Sequence, residues 1–242
     1  MRLTIHAMTA ALALSVSVMS CHADEACLIA IDVGHSKPHP GSISARGMPE
    51  FEFNAALAKT IHENFVARHV SSILIGDDGA MTDLEQRTSK ANAAGATFFL
   101  SVHHDSVQPK YLETWIWKER ERSHTERFSG FSLFVSRKNP HADISLECAR
   151  MTGAALKKAG FKPTAHHAER IPGENREWAD EDNGVYFFDD LVVLKTATMP
   201  AFLLEAGVIV NRDEETAIQK PATRNAIANA VIQGLAGCKA IP

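Results

Sequence analysis

The stretch LIAIDVGH, residues 28–35, decides the fold class. Its first six residues form a short, almost continuously apolar run before a glycine, which is typical of a strand buried on both faces of a sheet. Beyond a loop rich in Gly, Pro and Ser, apolar side chains recur every fourth residue and so predict a helix: Phe53, Leu57, Ile61 and Phe65. A buried strand followed by a helix is the repeating unit of a parallel sheet.

The alternation of strands and helices continues to the end of the chain. Residue patterns predict further strands at 72–75, 97–102, 131–135 and 201–204, and further helices at 83–94, 142–159 and around Ile227, Val231 and Leu235. We therefore predict an α/β fold, a single domain with a twisted, mostly parallel sheet of about six strands flanked by helices. Two charged segments, residues 109–127 and 164–188, are expected to be long loops over a sheet edge.

The composition is that of an ordinary globular protein. The chain has 242 residues, of which 45% are hydrophobic, and 25 Lys+Arg against 29 Asp+Glu give a net charge of −4. These values exclude a disordered chain, and the lack of a basic excess argues against a general nucleic-acid binder. The chain also contains 12 histidines, and histidine is the commonest metal ligand.

The N-terminal residues have the pattern of a secretory signal peptide. The uncharged stretch from Ala7 to Ser20 is too short to span a bilayer, and small residues around Ala23 offer a cleavage site. We therefore expect residues 1–23 to be removed and residues 24–242 to form an exported domain, periplasmic or secreted. In an alternative interpretation, Cys21 ends a lipobox and is acylated.

Export makes disulfide bonds permissible. Cys27 begins the first predicted strand and Cys238 ends the last predicted helix, so these two residues are the candidate pair. Cys148 lies in an amphipathic stretch and is interpreted as a small buried apolar residue. No spacing between the cysteines suits a cysteine-based zinc site.

Three predicted strands end beside residues that can bind a metal ion or move a proton. The runs LIAIDVG, TFFLSV and AFLL are followed by His35, His103 and Glu205 respectively. In an open parallel sheet the carboxyl ends of the strands share one edge, which is where such folds place their sites. Glu50 begins the first predicted helix near the same edge, where a carboxylate could also serve only to complement the helix dipole.

These four residues have the composition of a catalytic zinc site. Two imidazoles and one carboxylate commonly bind catalytic zinc, and a further carboxylate can act as general base. His35, Glu50 and His103 fit the first role, and Glu205 fits the second. The helical zinc motif H-E-x-x-H and the serine-hydrolase motif G-x-S-x-G are both absent from the sequence. The sequence therefore favours metal-dependent hydrolysis.

The motifs around these residues resemble those of the zinc-dependent N-acetylmuramoyl-L-alanine amidases of the amidase-3 type. That family cuts peptidoglycan between the sugar and the stem peptide. The resemblance covers roughly residues 28–235, nearly the whole predicted mature chain. The matching residues are DVGH at 32–35, Glu50 with Asn54, Arg87 with Asn92, SVH at 101–103, VLK at 193–195, MPA at 199–201, Glu205, Gly207 and Asn211.

The resemblance implies that zinc is the cofactor and that residues 24–242 are an amidase catalytic domain. It assigns the metal ligands as His35, Glu50 and His103, and the catalytic glutamate as Glu205. We also expect substrate contacts from Asn92, His104 and His167. His104 departs from the family pattern, which has a small residue at this position, and residues 107–128 have the character of an insertion.

The predicted reaction is hydrolysis of the amide between N-acetylmuramic acid and L-alanine, with peptidoglycan or muropeptides as substrate. Another zinc hydrolase on the same fold, a peptidase or a deacetylase, is an alternative, as is a non-catalytic peptidoglycan-binding protein. We expect a monomer without a nucleic-acid partner, and leave open whether an activator protein exists. Trp115 and Trp117 are expected either to pack on the domain as a lid or to stack on substrate.

Overall fold

The computed structural model describes residues 27–242. The predicted signal peptide, residues 1–23, and the alternative acylation site Cys21 lie outside the described residues. Between residues 27 and 242, no helix is both long and apolar enough to cross a membrane. The strands are β1 (Leu28–Val33), β2 (Ser71–Ile75), β3 (Phe98–Asp105), β4 (Glu113–Trp117), β5 (Arg120–His124), β6 (Ser132–Val135), β7 (Trp178–Asp180), β8 (Val185–Phe187) and β9 (Ala201–Val208). The helices are α1 (Glu50–Val66), α2 (Leu84–Ala93), α3 (Ala142–Lys158), α4 (Val192–Thr196), α5 (Arg212–Ile218) and α6 (Pro221–Gly237).

Seven of the strands form one sheet in the order β2-β1-β3-β9-β6-β8-β7. The first four are parallel to one another, β6 pairs antiparallel with β9, and β7 pairs antiparallel with β8. The predicted α/β class and mostly parallel sheet are confirmed. The carboxyl ends of β1, β3 and β9 consequently lie side by side at one edge.

Both segments that were expected to be loops contain strands. Residues 109–127 include β4 and β5, which form a separate antiparallel hairpin. Residues 164–188 include β7 and β8, which lengthen the main sheet beyond the predicted six strands. Each of these two strands has only three residues, which is too short to give a recognisable period.

The core lies on both faces of the sheet. On one face, Ile29, Ile31 and Val33 of β1 belong to a buried apolar cluster with side chains of α1, α3 and α6. On the other face, Ala30 packs in a second cluster with side chains of α2 and α4. Successive residues of a strand point to opposite faces, so a strand covered on both sides is apolar throughout.

The disulfide differs from the predicted one. Cys148 of α3 is bonded to Cys238 at the end of α6, with 5.1 Å between the Cα atoms. The prediction of a Cys27–Cys238 pair was wrong, and so was the interpretation of Cys148 as a purely apolar residue. The thiol of Cys27 donates a hydrogen bond to the carbonyl of Ala240 at 3.0 Å. The packing of α3 against α6 decides the pairing, and the sequence does not reveal that contact.

The β4–β5 hairpin packs on the domain through its tryptophans. Trp115 and Trp117 stack with ring centroids 5.4 Å apart, and the guanidinium of Arg46 lies over both rings. The indole N–H of Trp115 donates to the carbonyl of Ala45 at 2.9 Å. Of the two expected roles, these contacts support packing on the domain.

Candidate active site

The edge formed by β1, β3 and β9 brings together the residues singled out at the strand ends. His35 lies two residues beyond β1 and has a left-handed backbone with φ of 67°. His103 lies in β3 and is paired in register with Glu205 of β9. Glu50 is the first residue of α1. A non-glycine residue with positive φ is uncommon and is often found at functional sites.

His35, Glu50 and His103 form the first histidine cluster. One carboxylate oxygen of Glu50 lies 3.1 Å from Nε2 of His35, and the other lies 3.2 Å from Nδ1 of His103. One ligand atom from each residue lies within 4.8 Å of the others. A carboxylate that only complemented the helix dipole would not need to face two imidazoles, so the geometry supports a ligand role for Glu50.

The surroundings of this cluster fit a bound metal ion. Two imidazoles and a carboxylate are a ligand set typical of zinc in a catalytic site. Glycines allow the backbone to approach closely: a Cβ atom at Gly34 would lie 2.3 Å from Nε2 of His103, and one at Gly41 would lie 2.4 Å from Oε2 of Glu50. His35 remains about one third exposed, so the cluster is open to the cleft on one side.

The charge on Glu50 is stabilised within the cluster. Burial alone would raise the pKa of this carboxyl, but hydrogen bonds and charge from His103 and His35 outweigh burial and hold the pKa well below its usual range. Glu50 is therefore ionised at neutral pH, which is the form that binds a metal cation.

Asn54 and His104 hold Glu50 in position. The amide of Asn54 donates to Oε1 of Glu50 and to the carbonyl of Gly34, both at 3.1 Å. Nδ1 of His104 lies 2.8 Å from Oδ1 of Asn54, and this imidazole must donate because the amide oxygen accepts. Burial lowers the pKa of His104 to about 4, so His104 is neutral. The structure places it against α1, and its function as a substrate contact stays a prediction.

A buried ion pair supports the loop that carries His35. Arg87 donates to Oδ1 of Asp32 at 2.7 Å and to the carbonyl oxygens of Val33, His35 and Met81. Asp32 also accepts from the hydroxyl of Ser101 at 2.8 Å. The family pattern marks Arg87 in the sequence, but only the folded chain shows that it is buried and holds the loop of His35.

Asn92 lies apart from the other predicted site residues. It is near the end of α2, and its Oδ1 accepts from the backbone N–H of Thr198 at 3.2 Å and from the Thr198 hydroxyl at 2.9 Å. This position is near the edge where the strands begin, opposite to the edge with the histidines. Its contacts join α2 to the segment before β9, and they do not place it beside His35.

Glu205 lies in the cleft beside the first histidine cluster. The cleft has a volume of about 480 Å³, and its lining includes His35, Glu50, Asp105 and His167 together with Glu205. Burial raises the pKa of Glu205 well above its ordinary value, and the negative charges of Asp105 and Glu50 add to this effect. Within residues 27–242, Oε2 of Glu205 is buried and has no hydrogen-bond partner. This oxygen is available to accept a proton.

Asp105, His166 and His167 form a second histidine cluster along the same cleft. Nε2 of His167 lies 2.7 Å from Oδ2 of Asp105, and its Nδ1 lies 2.9 Å from Oε2 of Glu174. Burial lowers the pKa of His167, but the two carboxylates outweigh burial and raise it to about 9. His167 is among the residues that line this cleft, and its role as a substrate contact stays a prediction. No local sequence pattern marks Asp105 or Glu174 as members of a site.

A family model and several known proteins match most of this chain. The family model described as Amidase_3, N-acetylmuramoyl-L-alanine amidase, matches residues 29–237. N-acetylmuramoyl-L-alanine amidase AmiA of Escherichia coli is 22% identical over 86% of this chain and 74% of its own length. An endolysin of Bacillus phage SPP1 is 26% identical over 86% of this chain and 65% of its own length.

A solved structure shows the same fold. The N-acetylmuramyl-L-alanine amidase Ami1 from Mycobacterium smegmatis superposes with a TM-score of 0.69, at 19% identity, over 88% of this chain and 96% of that chain. The family model spans nearly all the described residues, including those that line the cleft. This chain is therefore an enzyme that belongs to the amidase-3 family of N-acetylmuramoyl-L-alanine amidases.

Proposed function

We propose that the protein hydrolyses the amide bond between N-acetylmuramic acid and the L-alanine of the peptidoglycan stem peptide, in a zinc-dependent reaction. The observation that carries this proposal is the position of Glu205 beside three converging ligand residues. His35, Glu50 and His103 would hold the zinc ion, which polarises the amide carbonyl and lowers the pKa of a water toward ~7 when bound.

Glu205 has the properties of the proton carrier in this reaction. The water oxygen forms a bond to the lactyl carbonyl carbon, and the bond from that carbon to the nitrogen of L-alanine breaks. Glu205 accepts the proton from the water and returns it to the leaving nitrogen. A raised pKa makes the Glu205 carboxylate a stronger base toward the water proton, and the carboxyl can hold that proton until the leaving nitrogen takes it.

The proposal also covers where the protein acts and on which substrate. We infer that residues 1–23 direct export and that residues 24–242 act on peptidoglycan or muropeptides in the periplasm or outside the cell, as a monomer. The names of the relatives support a cell-wall substrate, since they include AmiA and a phage endolysin. A role in cell-wall turnover or remodelling belongs to this proposal as well.

Digestion of muropeptides tests the reaction and the role of Glu205. The zinc-loaded chain 24–242 should release stem peptides that begin with L-alanine, which mass spectrometry identifies. Glu205→Gln should retain its zinc and lose activity by about 10²–10⁴-fold, the usual contribution of a general base. The exposed Glu177→Gln is the matched control and should retain activity.

Two outcomes would contradict the proposal. Full hydrolysis by Glu205→Gln would exclude Glu205 as the proton carrier. Cleavage within the stem peptide, or release of acetate, would instead indicate a peptidase or a deacetylase on this fold. His103→Gln should lose both zinc and hydrolysis, which separates a ligand from a general base.

A further inference from the structure

The second histidine cluster has one nitrogen atom that its hydrogen bonds leave unexplained. His166 is 2% exposed, and its Nε2 has no hydrogen-bond partner in the part of the chain that the structure describes. This nitrogen lies 3.3 Å from Oδ2 of Asp105. Nε2 of His167 is directed at the same oxygen from 2.7 Å. Two imidazole nitrogens thus converge on one carboxylate oxygen.

The other nitrogen of each imidazole is fixed by an oxygen atom behind it. Nδ1 of His166 lies 2.8 Å from the hydroxyl of Thr164, and Nδ1 of His167 lies 2.9 Å from Oε2 of Glu174. Glu174 is itself held by the amide of Gln108 at 2.8 Å. When these Nδ1 atoms donate and both imidazoles are neutral, the form in which histidine binds a metal, both Nε2 atoms present a lone pair toward Asp105. Histidines that bind metals are commonly oriented in this way.

We propose that Asp105, His166 and His167 form a second site for a divalent transition-metal cation such as Zn²⁺. Their ligand atoms lie within 4.8 Å of one another. Two imidazole nitrogens with one carboxylate oxygen suit Zn²⁺ and related ions, and Ca²⁺ and Mg²⁺ prefer oxygen ligands. Asp105 and His167 line the cleft, so an ion can enter from solvent and a water molecule can complete its coordination.

The alternative to a metal ion is a hydrogen bond between His167 and Asp105 alone. That bond gives His167 and Asp105 a partner each, but it leaves Nε2 of His166 buried without one. A cation at the centre of the cluster would take up the lone pairs of both histidines. Asp105 belongs to β3 and both histidines to the segment 164–174, so the ion would join that segment to the sheet.

Zinc binding to the chelator-stripped chain 24–242 tests this proposal. We expect two tightly bound equivalents in the unaltered chain, measured by titration and elemental analysis. His166→Gln should bind one equivalent, and anomalous scattering should then locate the remaining ion at the first histidine cluster. His62→Gln, which alters a histidine away from the cleft, is the matched control and should bind two.

A second variant keeps the test valid if His166→Gln fails to fold. Glu174→Gln retains all three ligands and removes only the carboxylate behind His167, so its zinc affinity at the second site should fall by about 10–100-fold. In the unaltered chain, the second equivalent should raise the melting temperature. Circular dichroism of each variant establishes that it is folded.

The outcomes separate this proposal from the catalytic one. A single equivalent that disappears in His103→Gln and persists in His166→Gln would overturn the second site. Two equivalents with unchanged affinities in both His166→Gln and Glu174→Gln would also overturn it. A single equivalent that is lost in His166→Gln and retained in His103→Gln would support the second site and contradict zinc binding at the first.

Discussion

The two histidine clusters line one cleft, but the fold builds them in different ways. The first takes its residues from the end of β1, the start of α1 and the body of β3, all of which are regular elements around a parallel sheet. The second takes Asp105 from β3, and His166 and His167 from a short 3₁₀ turn in a long connection. Strand ends and a helix start thus place the residues of the first cluster directly, whereas the loop of the second cluster relies on side-chain contacts to hold its residues in place.

The clusters also differ in how they control the charge of histidine. Burial without an acidic hydrogen-bond partner lowers the pKa of His104, beside the first cluster, to about 4. In the second cluster, Asp105 and Glu174 overcome burial and raise the pKa of His167 to about 9. The pKa of the same residue type is therefore lowered in one place and raised in the other, because the partners differ.

Removing the arginine of an ion pair near each cluster should lower the stability of the protein by different amounts. Arg87→Met leaves Asp32 buried without its cation, and we expect the free energy of unfolding to fall by about 3–5 kcal/mol. Arg127 pairs with Glu169 near the second cluster, but it is exposed and 3.5 Å away. Arg127→Met should therefore change stability by less than about 1 kcal/mol. Urea unfolding measures both values.

Equal losses of unfolding free energy in Arg87→Met and Arg127→Met would contradict the expected difference between the two ion pairs. The double variant Asp32→Asn/Arg87→Met gives a further check. It should be more stable than Arg87→Met alone, because it no longer leaves an unpaired charge in the interior. Arg87 also holds the carbonyl of His35, so Arg87→Met should weaken zinc binding at the first cluster.

The disulfide tests whether both clusters belong to one cooperative unit. Cys148 and Cys238 are 90 residues apart in sequence and join α3 to α6. Replacing both with Ala should lower the free energy of unfolding by about 2–4 kcal/mol, since the unfolded chain gains freedom. Fluorescence and far-ultraviolet circular dichroism should give coincident transitions at a lower denaturant concentration. Separate transitions would show that the two clusters belong to regions that unfold independently.

The neutral state of His104 predicts a pH dependence of stability. Burial lowers its pKa from the ordinary histidine value of 6.5 to about 4 in the folded protein. Between these values the unfolded chain binds a proton that the folded chain does not, so stability falls as the pH decreases from 6.5 to 4. The loss attributable to this group is up to about 3 kcal/mol.

Unfolding at pH 7 and pH 4.5 measures this effect. His104→Gln can still donate to Asn54 and does not titrate, so its stability should depend less on pH than that of the unaltered chain. His62→Gln alters a less buried histidine and should keep the original dependence. If His104→Gln retained the full dependence, burial of His104 would not be its cause.

The first cluster and Glu205 could be predicted from sequence because they lie next to strong local patterns. Apolar runs before His35, His103 and Glu205 marked three strand ends, which parallel strands bring together, and Glu50 begins the helix that follows the loop after His35. The second cluster gave no such signal. His167 could be noticed as part of a loop near the site, but Asp105 and Glu174 became meaningful only when the segment 164–174 was folded against β3.

The sequence by itself determined the α/β class, the parallel order of strands and helices, and the ends of the strands that carry the first cluster. These features follow from local apolar periodicity, which is set by the geometry of each element. Only the tertiary structure decided the Cys148–Cys238 bond, the strands β7 and β8, the anchoring by Arg87 and the convergence of His166 and His167 on Asp105. Each of these depends on contacts between residues far apart in the chain, and local patterns do not encode such contacts.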